Sequence, residues 1–436
     1  MNSIWYRIII ASRGLALRGI LLIGFLAGFI GVAAASDLRG HGGPVRAIAI
    51  TPDGRAATAS FDTTVIRWNL TRGVAEGVLR GHEGAVNAVI ALPDGRLVSA
   101  GEDRRILIWP RQGLEPERIF EGHEAPIAGL ALSPDGGTIA SASWDGTARL
   151  WPIAGGPPQI LGQHRGNVNG VAFLDDGTPL TIGYDGVLLI HRPSGPPQAV
   201  EFGVPLNAIT KAGPEIMVGA ADGQLRFVNP QTLAVAVLPV AEVPLVALAA
   251  SADGRLVGAA GFRGALVLAD RESRRITRRM VGPAFPLWSL AFSIDGAEIL
   301  TGGADRLVRR WHVSTGEPVN PVLAEATDQR AKALENHPGA EIYKACIACH
   351  TLTEDDGNRA GPTLHRVMGR RVGSAQGYAF SPALAGKEII WTRETIARLF
   401  EIGPNAMLPG TKMPEQIVTR VEDREALVDF IEKASR

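Results

Sequence analysis

At 436 residues the chain exceeds one ordinary domain, so two or more folded units are expected. Its 44 basic and 44 acidic residues cancel, which argues against nucleic acid as a partner because no basic excess exists to neutralise phosphates. The 52 glycines and few aromatics suit many short strands and turns, and the two cysteines lie three residues apart, leaving none for a structural disulfide or a four-thiolate zinc site.

The chain opens with Arg7, Arg13 and Arg18 around the start of an apolar run, 19–32, followed by Ala33-Ala34-Ala35 before Ser36. That order is an export signal over residues 1–35 with cleavage after Ala35. An uncleaved anchor is the alternative, although the uncharged run 19–35 is slightly short of the ~20 residues that span a bilayer. Gly24 and Gly28 form a GxxxG, weak evidence for helix pairing in so glycine-rich a stretch. Either way the remainder is expected outside the cytoplasm, in the periplasm.

From 36 to 322 the sequence repeats itself. An Asp in a polar turn, six residues before the end of an apolar strand, recurs as Asp62, Asp103, Asp145, Asp185, Asp222 and Asp305, with Arg263 in the sixth copy. The intervals are 41, 42, 40, 37, 41 and 42 residues, the period of a four-stranded propeller blade, and seven blades is the natural count. Residues 36–40 are expected to close the ring as an outer strand beside the last blade, since Leu38-Arg39-Gly40-His41 parallels Leu79-Arg80-Gly81-His82.

These repeats resemble the WD40 family over roughly two thirds of the chain. The resemblance implies a hydrogen-bonded tetrad of His, Ser or Thr, Asp and Trp in each blade. It is complete as His41, Thr58, Asp62 and Trp68, as His82, Ser99, Asp103 and Trp109, and as His123, Ser141, Asp145 and Trp151. Blade four keeps His164, Thr181 and Asp185 with His191 for the Trp; blade seven keeps Thr301, Asp305 and Trp311; blades five and six have mostly lost the set. The recurrent histidines are therefore blade residues rather than metal ligands. No ligand cluster, nucleophile motif or phosphate loop stands out in this region, which reads as a scaffold for binding. A polar, Ala-containing linker, 323–338, follows.

Cys346-Ile347-Ala348-Cys349-His350 has the C-x-x-C-H spacing of c-type haem attachment. The two thiols can add to two vinyl groups of one porphyrin, and the adjacent His is placed to ligate the iron. Taken alone, a zinc half-site or a redox CxxC remains open.

Residues 339–436 resemble small class I cytochromes c, most closely the mitochondrial type. Gly339 and Tyr343 match the point where the first helix crosses the last, here the apolar stretch 427–431. Gly361-Pro362-Thr363-Leu364-His365 with Gly369-Arg370 matches the loop on the His side of the haem, where the Pro362 carbonyl is expected to accept from the second nitrogen of His350. Pro409-Gly410-Thr411-Lys412-Met413 matches the Met-ligand loop, so the resemblance implies His350 and Met413 as iron ligands, with Met368 and Met407 as packing residues. It also implies Arg370, Tyr378, Ser381, Trp391 and Thr411 as partners of the haem carboxylates; a surface charge and a core aromatic are the plain alternatives for Arg370 and Trp391. Phe380 stands where the family usually has a second Tyr, and Leu399 and Phe400 where a Tyr hydrogen-bonds the Met sulfur, so both hydroxyls are missing.

The fold expected is thus multidomain: an all-β seven-bladed WD40-like propeller followed by a small all-α cytochrome c domain. The function expected is that of a one-haem electron carrier. The cytochrome segment holds 13 basic and 13 acidic residues, so long-range steering is weak, and the propeller is expected to dock the redox protein partner instead. Two alternatives stand: a haem sensor or peroxidase in which Met413 dissociates, and an oxidoreductase whose propeller holds a second active site.

Overall fold

The computed structural model describes residues 37–319, 334 and 336–436, apart from 163, 348, 354–357, 379, 382, 383 and 385. The export signal and most of the linker lie outside the described residues. Among the described residues no helix is long and apolar enough to cross a membrane.

Seven four-stranded antiparallel sheets follow one another in the chain. Blade one comprises Val45–Ile50, Ala56–Ser60, Thr64–Asn69 and Val74–Arg80. Blade seven takes Leu287–Phe292, Glu298–Gly303 and Leu307–His312, and its fourth strand is Leu38–Arg39 from the far end of the chain. Leu38 pairs with Val308 and Arg39 with Leu307, so the ring is closed as expected, by one strand borrowed across the whole propeller. The innermost strands touch in cyclic order, the last against the first. Second strands such as Ala56–Ser60 and Leu97–Gly101 are buried at every position, because they face a neighbouring blade on both sides; their small and β-branched residues permit that approach. Asn87, Asn169 and Asn207 each donate from the inner strand to a carbonyl of the next blade, at 3.1, 2.8 and 3.0 Å.

The tetrads form. In blade one, His41 Nδ1 lies 3.0 Å from Asp62 and its Nε2 2.7 Å from Thr58 Oγ1, which also accepts from Trp68 Nε1 at 2.7 Å. Blades two and three repeat this through Ser99 and Ser141. In blade four, burial pushes His191 down to about 4, so a neutral imidazole takes the place of the indole, 2.9 Å from Thr181 Oγ1. Blade seven retains the Trp311 to Thr301 bond at 2.9 Å.

These networks make the propeller acid-sensitive. Burial raises the Asp62 carboxyl, but His41, the Thr64 hydroxyl and the Gly42 N–H outweigh it and hold the group at about 2; Asp145 is held at about 2 in the same way, by Thr147, His123 and the N–H of Glu124 against its burial. Folded values below the ordinary 3.8 mean stabilisation that is fully present above pH 3.8 and lost as pH falls through 2. Denaturant titrations followed by circular dichroism should therefore show stability falling between about pH 4 and pH 2, with Asp62 contributing about 2 kcal/mol.

The C-terminal domain is built from helices α1 (Pro338–Tyr343), α2 (Arg393–Ile402), α3 (Pro404–Met407) and α4 (Val421–Ala434). Helix α4 buries Leu427, Val428, Phe430, Ile431 and Ala434, one face at helical spacing. Helix α1 crosses it at Gly339, where a Cβ would lie 2.1 Å from the Ala426 carbonyl oxygen, and Tyr343 packs on Phe430 with ring centroids 5.1 Å apart. Helix α2 starts with a reciprocal capping box between Thr392 and Thr395.

Blade one and the helical domain are in direct contact. Val78 forms a parallel bridge with Tyr378, and the Ala360 N–H donates to the Gly40 carbonyl at 2.5 Å. Tyr378 packs against the apolar cluster that contains Leu38, Trp68 and Val78.

Candidate functional site: a shared cavity at the rim of blade one

His350 follows the short turn that Cys346 opens, with the N–H groups of both Cys349 and His350 donating to the Cys346 carbonyl at 3.0 Å. The turn brings both thiols and the imidazole to one wall of a cavity of about 450 Å³. Burial pushes the Cys346 thiol up to about 12; Cys349 is also raised, by burial and then by the nearby Asp62 carboxylate. Before haem attachment both thiols are thus held in the protonated form, Cys346 buried and Cys349 half-buried.

His350 is oriented by its Nδ1, which donates to the Pro362 carbonyl at 2.7 Å. A carbonyl can only accept, so the proton is on Nδ1 and the Nε2 lone pair is free to bind a metal. Burial lowers the imidazole pKa and keeps the ring neutral. Gly361 makes this packing possible: a Cβ there would fall 2.4 Å from His350 Cε1.

The residues that the resemblance implies around a haem all line this one cavity: Cys346, Cys349 and His350; Pro362 and Arg370; Tyr378, Ser381 and Trp391; Thr411 and Met413. All three candidate methionines pack against the hydrophobic core, and of the three only Met413 also lines the cavity. The Met413 N–H donates to Thr411 Oγ1 at 3.2 Å, which shapes the loop. Arg370 gives two donors to the Thr363 and His365 carbonyls at 2.6 and 3.0 Å, and the Trp391 backbone pairs with Arg370 and Gly369. Ser381 Oγ is buried with no hydrogen-bond partner among the described residues. Leu399 and Phe400, both buried, supply apolar wall but no hydroxyl.

Sequence reasoning missed the rest of the wall. Gly42, Gly43, Phe61, Asp62, Thr63 and Arg80 of the propeller line the same cavity. A Cβ on Gly42 would meet the Cys349 sulfur at 2.7 Å. Thr63 holds φ +69, an unfavourable conformation for a β-branched residue that Gly146 and Gly186 adopt freely at the equivalent turn. Nothing local betrays these residues, because Asp62 is already explained by its tetrad and Arg80 by its repeat.

The residues present fit a haem. Two thiols at attachment spacing and an imidazole with a free Nε2 share an apolar cavity with a thioether, and buried donors lacking partners among the described residues, Ser381 Oγ and Arg80 Nε, suit a group that carries carboxylates. A closed propeller bearing such a domain on its rim is a haem-binding protein of the c type. Residues 337–435 match the family model described as "Cytochrome c", and 34–69, 73–110, 114–152 and 275–312 match "WD domain, G-beta repeat". The C-terminal region is 36% identical over 99 residues to a cytochrome c of Stellaria longipes, covering 91% of that protein and 22% of this chain. It is 37% identical over 99 residues to cytochromes c of Cochliobolus lunatus and Arabidopsis thaliana, covering 91% and 88% of them and 22% of this chain. Through this domain the chain belongs to the cytochrome c family, with WD40 repeats ahead of it, and it carries one haem c bound covalently through Cys346 and Cys349.

Proposed function

We propose that the protein is an exported carrier of single electrons, in which His350 and Met413 ligate the iron and the propeller docks a redox protein partner. The observation that carries this reading is the placement of His350, its Nδ1 fixed by Pro362, and Met413 on one cavity. Haem bound there supplies one-electron chemistry as its iron alternates between ferric and ferrous states. Arg370, Tyr378, Ser381, Trp391 and Thr411, which line the cavity, would hold the haem carboxylates. Arg7, Arg13 and Arg18, the apolar run and the three alanines favour export to the periplasm, where covalent haem attachment is completed in bacteria.

Docking by the propeller draws support from a ring of aromatics. The residue before the turn Asp, or Arg263, is Phe61, Trp144, Tyr184 and Phe262 in blades one, three, four and six, and all four side chains are exposed. Blade equivalence puts them on one face, and Phe61 belongs to the haem-cavity wall and stacks on Trp288 at 5.2 Å. Exposed aromatics contiguous with a redox site are suited to a transient protein interface. The double variant Trp144→Ala/Tyr184→Ala should leave the spectrum and potential intact. It should slow electron exchange with the native partner about tenfold or more, the loss expected for two interface aromatics. Unchanged exchange rates in stopped-flow mixing would remove the propeller from docking.

A further inference from the structure

Resting on the reading of this cavity as the haem site, we propose that blade one is a structural wall of that site and that Arg80 is a positioning residue whose guanidinium pairs with a haem carboxylate beside Tyr378 and Ser381. Arg80 is the last residue of the outer strand Val74–Arg80, two positions beyond the bridge between Val78 and Tyr378. Its Nη2 donates to the Ala360 carbonyl and to the Tyr378 hydroxyl, and the guanidinium sits 5.0 Å from the Tyr378 ring centroid. The Tyr378 hydroxyl donates in turn to the same Ala360 carbonyl, at 2.5 Å. The phenol and the guanidinium are thereby fixed together at the seam between the domains.

What this arrangement lacks is an anion. Arg80 forms no ion pair among the described residues; Asp62, on the same cavity, is already engaged by His41, Thr64 and the Gly42 N–H. Among the described residues Arg80 Nε is buried without a partner, and so is Ser381 Oγ. A buried guanidinium with an unmade hydrogen bond is costly, and a carboxylate accepts from several donors at once. Arg80 and Ser381 both line the cavity, where a carboxylate offers the acceptor that each lacks. The repeat supplies an internal contrast: Arg39, in the matching tetrapeptide Leu38-Arg39-Gly40-His41, is exposed, whereas Arg80 is drawn half-buried into the crevice. Blade position alone therefore does not account for where Arg80 goes.

The test uses the full-length, haem-loaded chain and its reduction midpoint. Loss of a positive charge beside the haem favours the oxidised form, which carries one unit more positive charge. Arg80→Gln should therefore shift the reduction equilibrium about tenfold toward the oxidised state. Arg80→Lys should recover at least half of that shift. Arg105→Gln, which removes the same charge from exposed pairs with Glu83 and Glu121 in blade two, should leave the midpoint where it is. A wild-type midpoint in Arg80→Gln, or an equal shift in Arg105→Gln, overturns the proposal. If Arg80→Gln yields no loaded protein, Arg80→Lys decides: loading with a near wild-type midpoint supports the charge pairing, and failure of both variants shows a packing role instead. Absence of haem staining on the wild-type polypeptide after denaturing electrophoresis would sink the haem reading itself, separately from any result at Arg80.

Discussion

Replacement of Met413 by alanine is expected to abolish the weak far-red band that an intact Met–Fe bond gives in cytochromes of this family. It should also lower the reduction potential by a substantial part of the roughly 0.8 V that axial ligation commands. The thioether is a soft, neutral donor that favours the ferrous state, and its loss leaves the position to water or to a harder ligand. Of the other two methionines in this domain, Met368 and Met407 pack against the core and neither lines the cavity. Met368→Leu and Met407→Leu should accordingly retain the band. Leu399 and Phe400 offer the sulfur no hydroxyl, and the Met413 N–H donates to Thr411 Oγ1 to hold the loop. Optical spectra of the oxidised protein and a redox titration read both effects. A far-red band surviving in Met413→Ala would remove Met413 from the iron.

The parts of this molecule that were legible in advance are those where chemistry restricts the residue type. A tetrad needs an imidazole, a hydroxyl, a carboxylate and an indole at fixed offsets, so blades one to three announce themselves. Blades five and six do not, and only the period near 41 residues reveals them. In blade five Asp222 has exchanged its His for Arg226, at 3.0 Å, and in blade six Arg263 occupies the turn at φ +56. Blade seven, with a hydroxyl and an indole but no His, lies between these extremes. The lining of the C-terminal cavity was equally readable, because attachment thiols, a His with a carbonyl partner and a Met in a matching loop are each restricted in residue type. The propeller's share of the cavity was not. Gly42 and Arg80 sit where any WD40 repeat could carry a Gly and an Arg, and their meaning comes from the docking of a domain nearly 300 residues away, which no local pattern encodes.

That docking couples the stability of blade one to the haem site, and Thr58→Val isolates the coupling. Thr58 is fully buried, and its hydroxyl both donates to His41 Nε2 and accepts from Trp68 Nε1. The proton assignment follows from Asp62, which as a carboxylate must accept from His41 Nδ1 and so leaves Nε2 with its lone pair. Valine preserves the volume and strands both partners in a dry interior, each at a cost of about 1–3 kcal/mol, so a loss of about 3 kcal/mol is expected. Thr301→Val in blade seven strands only Trp311 and should cost about half as much, which chemical denaturation of the two variants can compare. The variants should differ at the haem as well. His41 and Asp62 hold the Gly42 backbone against Cys349, so loosening this tetrad admits water to the cavity and lowers the reduction potential, whereas Thr301 lines no part of it. Equal potentials in the two variants would show that blade one and the haem domain are only neighbours. A lower potential confined to Thr58→Val would show that the propeller's hydrogen bonds help set the electron affinity of the haem.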